Sequence, residues 1–302
     1  MLYKKLKVAV ICTPLPAAYH SYGDHWIDGF KDIGCEVERF TYDQIPHLKL
    51  GYDLYFFVEI RYSPFTIPWY AFPRVLYSWD SHVAGIDMYE PYHECFDHIY
   101  LASKIDVDVL NNKKLNRFKW IPEACNPHVH KDLGLKREYP LGYIGNWGNE
   151  SFRRNGLCKN DFINHLRDKY KDKFLWSKGV YGEDYCKEQN KINIMWDYPI
   201  TYNVGTRIFE SCASGCIPMW SNAGYKNGIH TLLKEGVNYI EYNDTIEDLD
   251  SKIEWAFNNP QCLEKMRIIS RNYVLENHTY AHRALEILKD NVKNIYSFGE
   301  LE

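Results

Sequence analysis

Two rhythms of apolar residues alternate along this chain. Short continuous apolar runs, the mark of strands buried on both faces of a sheet, are separated by segments with apolar residues every three or four positions, the mark of helices packed on one side. Residues 6–12 (LKVAVIC) form the first such run. After a loop at 13–23 containing Pro14, Pro16 and Gly23, Asp24 is placed to cap a helix. Trp26, Ile27, Phe30 and Ile33 make its stripe, and Gly34 stops it. Strands are predicted at 35–40, 53–60, 74–79, 98–103 and 118–121, with a helix over 106–112, and Pro122 closes the series. Strands alternating with helices predict a doubly wound parallel sheet.

The pattern then restarts. Residues 140–145 (PLGYIG) read as a fresh strand and 161–170 as a helix, with short strands at 174–176 and 192–195. A helix over 207–214 is entered from Gly205 and closed by Gly215. A strand at 217–220, a short helix at 228–234 and a strand at 239–242 follow. Helices at 249–258, 261–276 and 279–296 finish the chain. The expected class is therefore α/β with two Rossmann-like doubly wound domains, 1–136 and 137–281, and a terminal helix at 282–302.

Length agrees with this division, since 302 residues suit two domains of about 100–200 residues each. The apolar run near the N-terminus is too short for an export signal and is stopped by Pro14, and no stretch approaches the ~18 apolar residues of a membrane span. Nine cysteines without a C-x-x-C pair predict free thiols, a cytoplasmic location and no structural zinc. The net charge of −4 conceals a basic middle: Lys113 to Lys191 carries 17 basic against 10 acidic residues. That bias suits an anionic small ligand, although solvated helix faces give the same sum. A pI near 6.3 argues against a dedicated nucleic-acid binder.

In open α/β sheets ligands bind beyond the carboxyl ends of the strands, so candidate chemistry is sought in strand-to-helix loops. In Asn203-Val-Gly205-Thr206-Arg207-Ile-Phe-Glu210, Gly205 admits close backbone approach and Thr206 is placed as N-cap. The free N–H groups of that helix start attract phosphate, and Glu210, one turn in, can accept hydrogen bonds from ribose hydroxyls. An ordinary capped helix with a solvated Glu210 would read the same way. The loop from Gly145 to Arg153 and Arg154 offers diphosphate contacts, with Arg207 completing a two-arginine clamp. Solvated arginines ahead of a helix are the alternative. Asp80 and His82 follow a predicted strand of the first domain and suit a general base. A helix cap at Asp80, or a metal site using His93 and His98, would also fit. Thr279 is placed to cap the last helix.

The run from Asn203 to Pro218, N-x-G-x-R-x-F-E-x-x-A-x-G-x-x-P in outline, resembles the sugar-nucleotide site of GT-B glycosyltransferases, in particular the CgeB-type branch of spore-maturation proteins and the group-1-like family. Tyr143-Ile-Gly145 with Arg153-Arg154, Glu235-Gly236 and the ending Asn277 to Arg283 agree in order, as do Trp79 to His82 and Ile121 to Pro127. The resemblance implies a donor-binding second domain, an acceptor-side first domain facing it across a cleft, and a last helix that crosses back. It also implies a nucleotide-sugar co-substrate, UDP-linked, with no other cofactor and no bound metal. Glu210 matches the family carboxylate that holds the donor ribose. Eight positions earlier, where the family often has an acid, stands Tyr202, so the donor sugar is left open. Acceptors compatible with this reading are a glycan, a protein, a small molecule or a modified DNA base. A non-catalytic nucleotide-sugar binding module is the alternative function. Dehydrogenase chemistry is disfavoured because the first strand runs into Thr13-Pro14-Leu-Pro16, with no G-x-G-x-x-G.

Overall fold

The computed structural model describes residues 5–13, 22–59, 66–81, 85–199, 203–222 and 227–292. The chain divides into two compact units, one formed by Met1–Glu123 with Thr279–Glu302, the other by Ala124–His278.

In the first unit, β1 (Lys7–Cys12), α1 (Tyr22–Asp32), β2 (Glu36–Phe40), β3 (Leu54–Val58), β4 (Arg74–Ser78), β5 (His98–Leu101), α2 (Lys104–Asn112) and β6 (Phe118–Trp120) build a six-stranded sheet of order β2-β1-β3-β4-β5-β6. All pairings are parallel. β1, β3 and β4 are buried almost throughout, as their continuous apolar sequence requires. Side chains of successive residues alternate between the faces. Ala9, Ile11, Phe57, Leu76 and Ile99 meet Val107 and Leu110 of α2, whereas Phe56 and Tyr77 pack on Trp26 of α1.

The second unit repeats the plan. It comprises β7 (Tyr139–Ile144), a hairpin of β8 (Arg153–Arg154) and β9 (Leu157–Cys158), α3 (Lys159–Tyr170), β10 (Phe174–Ser177), α4 (Gly182–Asn190), β11 (Ile192–Asp197), α5 (Thr206–Ala213), β12 (Ile217–Ser221), α6 (Ile229–Leu232), β13 (Ile240–Tyr242), α7 (Ile246–Asn258) and α8 (Pro260–Asn277). Its parallel sheet has the order β10-β7-β11-β12-β13. Numbered within each unit, both sheets share the order 2-1-3-4-5, which places a topological switch point beside the first strand, between β1 and β3 and between β7 and β11.

The chain then returns to the first unit as α9 (Tyr280–Asn291), capped by Thr279 through a reciprocal pairing with His282. Tyr280 lies against both His25 and Trp26, with ring centroids 5.3 Å apart in each case. Helix α1 comes so close that a Cβ on Gly29 would sit 2.6 Å from the Tyr280 carbonyl.

Several expectations need revision. Asp24 does not cap α1; it lies in the first turn and its carboxylate takes a 2.6 Å bond from Arg39 of β2. The unit boundaries fall at 123/124 and 278/279, not at 136/137 and 281/282, because residues 124–136 are bonded into the second unit. Cys125 N–H donates to His278 O, Asn190 Nδ2 to Lys131 O, and Leu133 N–H to Asn190 Oδ1. The β8–β9 hairpin and α4 have no counterpart among the elements the sequence pattern predicts; α4 is too polar to show a clear apolar stripe. No helix among the described residues is long and apolar enough to cross a membrane.

Candidate functional site

At the switch point of the second unit, β11 ends in Asp197, which is 3% exposed. Its carboxylate is gripped by two cations. Nη1 of Arg207 donates to both oxygens, at 2.7 and 2.9 Å, and Nζ of Lys159 stands 3.7 Å from Oδ1. Lys159 is the first residue of α3 and is itself buried, with its ammonium 4.6 Å from the ring centroid of Tyr143 on β7. Burial, then repulsion from Arg207, pushes the Lys159 ammonium down to about 7, against the attraction of Asp197. Burial alone would raise the Asp197 carboxyl, but Arg207 first and Lys159 second outweigh it and hold it below the usual carboxylate range. Two cations share one carboxylate, so the cluster is net positive while Lys159 is protonated. Arg207 keeps 34% of its side chain accessible, so that charge is reachable.

Arg207 belongs to the first turn of α5, whose N-cap is Gly205. Thr206 is therefore the first helical residue and not the cap; Gly205 has no side chain to cap the first-turn N–H groups, which begin beside Arg207. The Oδ1 of Asn203 is buried with no hydrogen-bond partner among the described residues. One turn further, Glu210 is 7% exposed; it accepts a 3.0 Å bond from Tyr185 OH of α4 and lies 3.4 Å from Nε2 of His130. Gln189 Nε2 donates to the same Tyr185 oxygen, fixing the phenol. Burial and the neighbouring Glu210 charge push Tyr185 well above the usual phenol range, so it stays a donor to Glu210. Gly145 follows β7 at φ 156°, and a Cβ there would fall 2.5 Å from Tyr143 OH, so the loop backbone runs tight against Tyr143.

The arginines at the hairpin behave differently from the clamp expected of them. Arg154 spends its guanidinium inside the protein: Nε and Nη2 on Asp244, Nη1 on Pro199 O, Nη2 also on Ser221 Oγ, with the plane 3.8 Å over Tyr198. Asp244 is 6% exposed, so this is an anchor between the hairpin and the β13–α7 loop. Arg153 is half-exposed and pairs with Asp161 at 3.3 Å. The cation beside Arg207 is instead Lys159. A reading that started the helix at Asp161 left Lys159 in a loop with no assigned role. Asp197 lies two residues past the predicted strand at 192–195, and the structure extends that strand to include it.

In the first unit, Asp80 stands beyond the end of β4, and the next residue, Ser81, is buried and bonds Asp106 of α2 at 2.6 Å. His82, like Tyr202, lies outside the described residues. His93 Nδ1 bonds Glu90 O and His98 Nδ1 bonds Asn291. Among the described residues no group of three His, Cys, Asp or Glu side chains is placed to hold a metal ion. Sequence reading missed Glu59, which follows β3 in a left-handed conformation (φ 59°) at this unit's own switch point. Its buried carboxylate accepts from Ser78 Oγ at 2.8 Å and Tyr89 OH at 3.1 Å, so it ties down both ends of the segment carrying Asp80.

Residues 142–289 match the family model described as glycosyl transferase-like. No curated protein matches the sequence. Among solved structures, sucrose-phosphate synthase from Thermosynechococcus elongatus is similar over 94% of this chain and 98% of its own, at 13% identity and TM-score 0.64. A glycosyltransferase from Rickettsia africae ESF-5 is similar over 97% and 100%, at 13% identity and TM-score 0.61. Anabaena Alr3699/HepE, solved in complex with UDP and glucose, is similar over 94% and 99%, at 10% identity and TM-score 0.59. The fold is the GT-B fold that these neighbours share, and just under half of the chain, residues 142–289, is similar to the glycosyl transferase-like family model.

Proposed function

We propose that the protein moves a sugar from a nucleoside diphosphate donor, UDP-linked, to a hydroxyl acceptor without help from a metal ion. The observation that carries this reading is the Lys159–Asp197–Arg207 cluster at the switch point, open to the first turn of α5. When the bond from the sugar to the diphosphate breaks, negative charge grows on the departing phosphate oxygen. Lys159, Arg207 and the N–H groups of α5 stabilise that charge in place, which is the service a divalent cation would otherwise perform. Asp197 aims Arg207 and holds the pair of cations together. Glu210, oriented by Tyr185 and His130, is the acceptor assigned to the ribose hydroxyls, and the buried Oδ1 of Asn203 offers a second acceptor. On the acceptor side, in the first unit, the proton of the attacking hydroxyl is assigned to Asp80 or His82. The match of residues 142–289 to a glycosyl transferase-like model and the UDP and glucose held by HepE support the choice of donor.

Calorimetric titration with UDP, GDP and ADP, with and without EDTA, tests the reading. One diphosphate should bind selectively and equally well with EDTA present. Glu210→Gln should weaken that binding about tenfold, the cost of hydrogen bonds to a charged group, while leaving the fold intact. Absence of binding to every nucleotide would overturn the donor assignment.

A further inference from the structure

A pair of indoles takes no part in the chemistry assigned above, and the loop carrying one of them packs on Lys159 so closely that a Cβ on Gly148 would fall 2.6 Å from the lysine's Cβ. Trp147, on the loop after β7, keeps 41% of its surface exposed. Its ring meets Trp176 of β10 edge-on, with centroids 4.5 Å apart and planes at 72°. Trp176 is fixed from several sides: Nε1 donates to Gly145 O at 3.0 Å, and the cations of Arg167 and Lys178 lie 5.2 and 5.7 Å from its ring centroid. The loop carrying Trp147 is equally constrained. Tyr143 OH donates to Asn146 O, and Gly148 exchanges two hydrogen bonds with Asn160, the neighbour of Lys159 on α3. Since the Tyr143 ring also carries the Lys159 ammonium, Trp147 is joined to the cation cluster through one side chain on one side and through α3 on the other.

A large aromatic held rigid by its neighbours yet left open on the surface exposes apolar area at a cost, and has lost its side-chain freedom before any ligand arrives. That is the design of a stacking platform: a flat π-system in a fixed orientation, flanked by cations. From its place beside the phosphate-compatible cluster we infer that Trp147, backed by Trp176, is the stacking surface for the nucleobase of the bound nucleotide. The inference rests on the donor reading above and assigns the part of the nucleotide which that reading leaves without a partner. Lys178 and Arg167 hold Trp176 in place behind the platform, so their role is to keep Trp147 oriented.

The test compares affinities of the wild type, Trp147→Ala and Trp147→Phe for UDP, GDP, ADP and inorganic pyrophosphate. For whichever nucleotide the wild type binds, Trp147→Ala should lose about tenfold to a hundredfold in affinity, the range of base–aromatic stacking. Trp147→Phe should recover most of that loss, and the binding of pyrophosphate should not change. Unchanged nucleotide affinity in Trp147→Ala would overturn the platform while leaving the donor reading intact. An equal loss for pyrophosphate would overturn it too, by making Trp147 a support of the phosphate loop. A wild type that binds no nucleotide would overturn both readings together.

Discussion

Lys159 is the residue on which the chemistry of the site turns. A lysine buried beside an arginine is held near its ionisation point because water no longer solvates its charge and a like charge stands close by. A bound diphosphate supplies the missing counter-charge and raises the ammonium's pKa, so binding draws in a proton. Above pH 7 the free lysine is increasingly neutral. Affinity for the nucleotide is therefore full below about 7 and falls as pH rises through that point, by at most tenfold per pH unit. Calorimetry at pH 8 in buffers of different ionisation enthalpy should show net proton uptake, and Lys159→Met should abolish it. The same variant removes a desolvated charge but leaves Asp197 paired with Arg207. We expect its melting temperature to hold or rise while affinity drops about tenfold to a hundredfold. A lower melting temperature with unchanged affinity would make Lys159 purely structural.

Helices α1 and α9 show how an element far from any chemistry is placed. α9 is the last described helix in the chain and α1 the first, and they meet through Gly29 and Tyr280 with backbone nearly touching backbone. Gly29→Ala has nowhere to put its methyl group, because the obstacle is main chain and not the end of a flexible side chain. The substitution should cost about 1–3 kcal/mol despite alanine's better helix propensity. A fall in the urea midpoint at unchanged slope checks this; a midpoint that rises would show that the helices can separate freely. In the second unit the sharpest lesson concerns β8 and β9. Two adjacent arginines on a short hairpin invite assignment as a phosphate clamp. A buried Asp244, 90 residues later in the chain, engages one of them together with Pro199 O and Ser221 Oγ, and only the assembled fold reveals that.

At the scale of the molecule, the first unit is discontinuous and the second continuous. The second unit's two chain ends lie together: the N–H of Cys125 donates to the carbonyl of His278 at 3.1 Å. Residues 124–278 should therefore fold when produced alone and bind the same nucleoside diphosphate as the full chain, because Lys159, Asp197, Arg207, Glu210 and Trp147 all lie within them. Circular dichroism and calorimetry on that fragment decide the matter. A folded fragment that fails to bind would mean the first unit contributes essential donor contacts.

The alternation of apolar runs with helical stripes was enough to predict two parallel α/β units and most of their elements, because a strand buried on both faces has few other sequences open to it. Position beyond strand ends likewise brought Gly145, Asn203, Gly205, Arg207 and Glu210 into consideration. Pairing was another matter. Whether Arg154 or Lys159 stands beside Arg207, where the chain passes from one unit to the other, and which carboxylate at a strand end carries charge into the crevice are all settled by contacts between residues distant in sequence. Such contacts exist only once the sheets have twisted and the helices have packed. Local propensity reports how a segment folds; which charge meets which is a property of the assembled structure.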